Sequence, residues 1–70
     1  MIPLSMATLG VPFTIQRVSG QDKIKKHLKN LGLLVGDQVT VITKLDSNLI
    51  IKVKEARIAV DKSIANRVMV

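Results

Sequence analysis

The sequence has no cysteine, no tryptophan and no tyrosine, and its one aromatic residue is Phe13. Without cysteine, disulfides and thiolate metal sites contribute nothing to stability, and thiol nucleophiles are excluded. With one ring, the chain has no row of aromatics on which bases could stack. Proline occurs twice, at Pro3 and Pro12, both ahead of the regular pattern. No apolar run approaches the ~20 residues that a membrane-spanning helix needs. The opening stretch, residues 1–13, is apolar but lacks the basic flank of a signal peptide, so a cytoplasmic location is expected. There is no G-x-S-x-G elbow and no phosphate-cradling glycine loop, and no serine has a base nearby in sequence.

Metal-ligating types are equally sparse. His27 is the only histidine, at the margin of a helical stripe, and one imidazole makes no transition-metal site. Asp22, Asp37, Asp46, Glu55 and Asp61 are scattered over caps and turns, with no pair at helical spacing. The expectation is a protein with no catalytic residues, no metal ligands and no cofactor.

What remains is an aliphatic, basic chain of 70 residues with 47% hydrophobic content and a net charge of +6. That length gives one domain, residues 1–70, with a thin core. The charge permits nucleic acid, anionic lipid or an acidic protein as partner without choosing among them.

Residues 1–11 read as an arm, extended or holding one helical turn, with Leu4, Met6 and Leu9 placed to pack on the body. Phe13 and Ile15 alternate with Thr14 and Gln16, a half-buried strand over 12–18, and Val18 breaks the parity. Ser19 with Asp22 resembles a capping box. Ile24, Leu28 and Leu31 then share one face of a helix over about 20–31, while Lys25, Lys26 and Lys29 face the opposite way. Gly32 stands where a left-handed residue closes a helix, with Leu28 and Leu33 as the apolar pair of that closure. Gly36-Asp37 marks a turn. Strands follow over 38–45 and 49–54, joined by a loop at 46–48 in which Asn48 can take positive φ. Lys54-Glu55-Ala56 is a weaker turn, followed by a short strand at Ile58 and Val60. One helical turn at 64–66 and a last strand at 68–70 close the chain. A mostly-β fold with one helix results, best met by a small SH3-like barrel of about five short strands.

The run from Leu31 to Val41, LGLLVGDQVTV, resembles the central motif of the FeoA family, in which a helix ends in L-G-L ahead of G-x-x-V-x-V. The basic helix with Lys23, Lys25, Lys26 and Lys29 is similar, as is the closing segment from Arg57 to Val68. The resemblance spans about Leu4 to the C-terminus. It implies an SH3-like barrel acting as a non-enzymatic accessory protein of ferrous iron uptake, with the cytoplasmic GTPase-containing part of the FeoB transporter as partner. The hairpin loop at Asp46–Asn48 is shorter than is common in the family, which reduces any contact made there. The contact residues expected are Lys25, Lys26, Lys29, Leu33 and Leu34, with Gly32 and Gly36 shaping the turns. The alternative is a basic barrel that binds nucleic acid. Eight lysines against three arginines suit loose phosphate contact better than base readout.

Overall fold

A computed structural model describes residues 1–70. The chain forms β1 (Pro12–Thr14), β2 (Arg17–Val18), α1 (Asp22–Asn30), β3 (Gln38–Lys44), β4 (Asn48–Val53), β5 (Ala56–Asp61), α2 (Lys62–Ala65) and β6 (Val68–Met69), preceded by a 3₁₀ turn at Leu4–Met6. The larger sheet has the order β1-β3-β4-β5, and β2 pairs with β6 in a second, two-stranded sheet. Every strand pairing is antiparallel. This is the mostly-β small barrel expected, with six strands where about five were anticipated.

The extra strand arises where Val18 breaks the alternation. The segment 12–18 is two strands, β1 and β2, which pair in different sheets. At the break, the Ile15 N–H donates to the Asp37 carbonyl at 2.8 Å and the Ile15 carbonyl accepts from the Gly36 N–H at 2.9 Å. Ile15 itself is buried, so the chain changes sheets without exposing its apolar side chain.

Helix α1 is shorter than the expected 20–31. Its N-cap is Gln21, with no side-chain cap, and the anticipated Ser19–Asp22 capping box does not form. Ser19 is engaged elsewhere: its N–H and its hydroxyl both donate to the Arg67 carbonyl, at 2.8 and 3.3 Å. The C-terminal end matches the sequence reading. The Gly32 N–H bonds the Lys29 carbonyl and the Leu33 N–H bonds the Leu28 carbonyl, both at 2.9 Å, and Gly32 has φ 90°. These are the two bonds of a Schellman closure. Leu28 and Leu33 are both buried beneath it, with Ile24 and Leu31 packed half-buried alongside.

The β3–β4 pairing shifts register between Val41 and Thr43, leaving Ile42 as an extra residue, a bulge. The inward alternation Val39, Val41 therefore does not continue, and Leu45 is exposed. Positive φ falls on Lys54 and not on Asn48, which is the first residue of β4. Val53 pairs with Ala56, so Lys54-Glu55 is a two-residue connection with positive φ at its first position, as a type II′ turn has.

The core consists of fourteen buried residues, all apolar, and includes Leu4 and Ala7 from the arm. Met6 and Leu9, expected to pack inward, are exposed. The reason is the 3₁₀ turn: Ala7 donates to Leu4 and Met6 to Pro3, which turns Leu4 and Ala7 inward and Met6 out. The arm also meets the C-terminus, where Ile2 and Val70 exchange hydrogen bonds at 2.9 and 2.8 Å. Ser5 donates a side-chain bond to Asn66.

Four alanine substitutions should separate in chemical denaturation. Gly36→Ala should cost about 1–2 kcal/mol, from backbone strain alone, because no atom lies within 4 Å of the added Cβ. Gly32→Ala should cost more, since its Cβ would meet Val53 Cγ1 at 3.2 Å. Leu4→Ala should lose about 2–5 kcal/mol as a core truncation, against less than about 0.5 kcal/mol for the exposed Met6→Ala.

Candidate functional site

The Schellman closure delivers the chain directly into a second tight turn. The Asp37 N–H donates to the Leu34 carbonyl at 3.0 Å, and Gly36, at the third position of this turn, has φ 95°. That is a type II turn, which requires positive φ there and so selects glycine. Leu34 and Val35 occupy its first two positions and cannot reach the core. They are 38% and 63% exposed, which makes them displayed apolar groups.

Between this turn and the last two turns of α1 lies a groove of about 550 Å³. Val18, Leu33, Leu34 and Val35 supply its apolar lining, and Lys25, Lys26, Lys29 and Asn30 its polar lining. Lys25 and Lys29 are four residues apart and Lys26 and Lys29 three, so α1 places their ammonium groups on neighbouring positions. None has an acidic partner: the one ion pair in the structure joins Lys54 to Asp37, at 4.0 Å. Like charges at this spacing oppose each other, and a bound anion would relieve that repulsion.

The structure thus brings together all five contact residues expected from the sequence. Leu33, the residue paired with Leu28 in the helix closure, is 1% exposed and forms the buried floor of the groove, which leaves display to Leu34. Gly32 and Gly36 serve the two turns. Val18, Asn30 and Val35 were missed. Val35 was legible in principle, as the residue before a turn glycine that no core position claims. Val18 reaches the groove only because β2 leaves the larger sheet, and no local pattern signals that.

The groove contains amines, an amide and alkyl groups. Its lining holds no carboxylate, imidazole or hydroxyl. His27 is exposed outside it. Nowhere do three or more His, Cys, Asp or Glu side chains gather as metal ligands would. No helix is long and apolar enough to cross a membrane. The groove offers apolar contact and positive charge.

Comparison with known proteins gives the family. The FeoA domain model matches residues 2–70. The fold is similar to the crystal structure of an iron uptake regulatory protein, FeoA, at 28% identity, with a TM-score of 0.88, 96% of this chain and 91% of that chain covered. It is also similar to the zinc-complexed FeoA of Stenotrophomonas maltophilia, a prokaryotic SH3 domain protein, at 28% identity and a TM-score of 0.73, covering 99% and 88%. A manganese-dependent transcriptional repressor shares the fold at 13% identity and a TM-score of 0.84, over 94% of this chain and 38% of that one. No curated protein sequence matches. With its helix closure, its paired turn and its six-strand barrel all contained in the matched span, the chain belongs to the FeoA family of ferrous iron transport accessory proteins.

Proposed function

We propose that the protein docks through the α1 groove onto the cytoplasmic, GTPase-containing part of a FeoB-type ferrous iron transporter and acts there without catalysing a reaction. The observation that carries this reading is the set of three lysines, free of acidic partners, around an apolar floor beside the displayed Leu34 and Val35. Such a surface suits an acidic protein face that also offers an apolar contact. Leu34 and Val35 would supply the anchor, and the lysines would steer the encounter and fix orientation. The protein would bias the transporter only as far as it prefers one of the transporter's states over another. On this reading the protein works in the cytoplasm and meets the membrane only through its partner.

The nucleic-acid alternative is less well supported by the same surface. Phe13, the only phenyl ring, is half-buried against the core, so no aromatic face is displayed for a base to stack on. The groove lining contains no arginine. Its lysines could hold phosphates loosely, with steep salt dependence.

A pull-down of the transporter's cytoplasmic domain, with and without guanine nucleotide, tests the reading. Leu34→Asp should weaken capture about tenfold or more while leaving the thermal melt within a few degrees of wild type. Unchanged capture by this variant would remove the groove from the interface. Reversing Lys25, Lys26 and Lys29 to Glu should slow association and flatten its dependence on ionic strength. Tight nucleic-acid binding at physiological salt, lost in the same triple variant, would favour the alternative instead.

A further inference from the structure

The larger sheet ends at β5. β4 and β5 pair without interruption from Asn48↔Asp61 to Val53↔Ala56. The outer side of β5 pairs with no strand.

The phase of this edge follows from the turn. Val53 and Ala56 flank a two-residue connection, so they form a hydrogen-bonded pair. Hydrogen-bonded and non-hydrogen-bonded pairs then alternate, which turns the main-chain groups of Ile58 and Val60 toward β4 and those of Arg57, Ala59 and Asp61 outward. Two bonds beyond the ladder agree. The Lys62 N–H donates inward to Ser47, continuing the even series, and the Asn48 carbonyl accepts from Leu45 on the β3 side. The main-chain groups of Arg57 and Ala59 and the N–H of Asp61 have no partner among the bonds outside the ladder, while the Asp61 carbonyl begins α2 as its N-cap acceptor.

Exposed edges are ordinarily protected by proline, inward charge, a bulge or a covering segment. β5 has no proline and a bulge-free register with β4. The charge of the protein is also locally balanced here. Glu55, Arg57, Asp61 and Lys62 give two charges of each sign, although the whole chain carries +6.

We propose that this edge is a self-pairing surface, through which two copies of the chain join by antiparallel β5 strands centred on Ala59. In that register Arg57 faces the partner's Asp61 and Asp61 faces the partner's Arg57. All three cross-strand pairs, 57 with 61, 59 with 59 and 61 with 57, are in the hydrogen-bonding phase. The sheet becomes continuous across a two-fold axis, and the interface is isologous. The charge complementarity comes from the chain itself: one acid and one base, placed symmetrically about a small central residue that admits close approach. The edge shares no residue with the α1 groove, so self-pairing and transporter docking stand or fall separately.

The contact is small, so the dimer is expected to dissociate on dilution, from mostly dimer near ~1 mM to mostly monomer near ~10 µM. Sedimentation over that range, with amide exchange followed residue by residue, tests it on the intact chain. Protection of the Ala59 and Asp61 amides, which would bond the partner's Ala59 and Arg57 carbonyls, should rise with concentration while that of Ile58 and Val60 stays constant. Arg57→Asp should weaken association about tenfold or more, and the exchanged pair Arg57→Asp with Asp61→Arg should restore it. Asp61 makes no side-chain cap to α2, so its replacement removes no bond from the fold. A monomer at ~1 mM, a dimer with the Ala59 and Asp61 amides unprotected, or association indifferent to Arg57→Asp would each overturn the proposal.

Discussion

The hydrogen bond from the Leu33 N–H to the Leu28 carbonyl organises much of the molecule. It forms because Gly32 takes a left-handed conformation that reverses the chain in one residue. A side chain at Gly32 would meet Val53, so the helix end lies directly against a core strand. The reversal buries Leu28 and Leu33 against the core, and it fixes the direction in which the chain leaves α1. Given that direction, the four-residue turn from Leu34 to Asp37 has no path through the interior. Its first two side chains are left at the surface beside the lysines of the helix. Core and candidate interface are therefore two results of one local closure.

The parts of this arrangement that were legible in the sequence are those controlled by short-range rules. The end of α1 was readable because glycine at C′ and leucines at C3 and C″ belong to one hydrogen-bonded unit. The inward alternation of Leu49, Ile51 and Val53 was readable because nothing interrupts it. The errors lie where distant contacts override the local preference. Ser19 looks like a helix cap but bonds to Arg67, far along the chain. Asn48 is suited to positive φ, yet the bulge at Ile42 shortens the loop and draws it into β4. Met6 and Leu9 are apolar, but the direction of a 3₁₀ turn decided which arm residues face inward.

The candidate site divides in the same way. The lysine face follows from helical periodicity, and Leu34 from its position between two turns. The groove itself is a product of topology. It exists because the segment after β1 leaves the larger sheet and sets Val18 beneath the helix. The turn that displays Leu34 and Val35 is tied at one end to α1 and at the other to Ile15, through both of that residue's main-chain groups. A contact surface held in this way loses little freedom on association, which favours affinity for a given area.

The reciprocal bonds between Ile2 and Val70 bear on how the chain reaches this state. They close a loop from residue 2 to residue 70, and Ala7 and Val68, both fully buried, come from opposite ends of it. A chain that lacks either segment is therefore missing a wall of the same interior, and the core closes only when both are present. Barrels wired in this way have high contact order and fold more slowly than helical proteins of equal length. While the polypeptide emerges from a ribosome, its aliphatic strands remain without their final shelter, and the surplus of lysine helps keep them in solution during that interval.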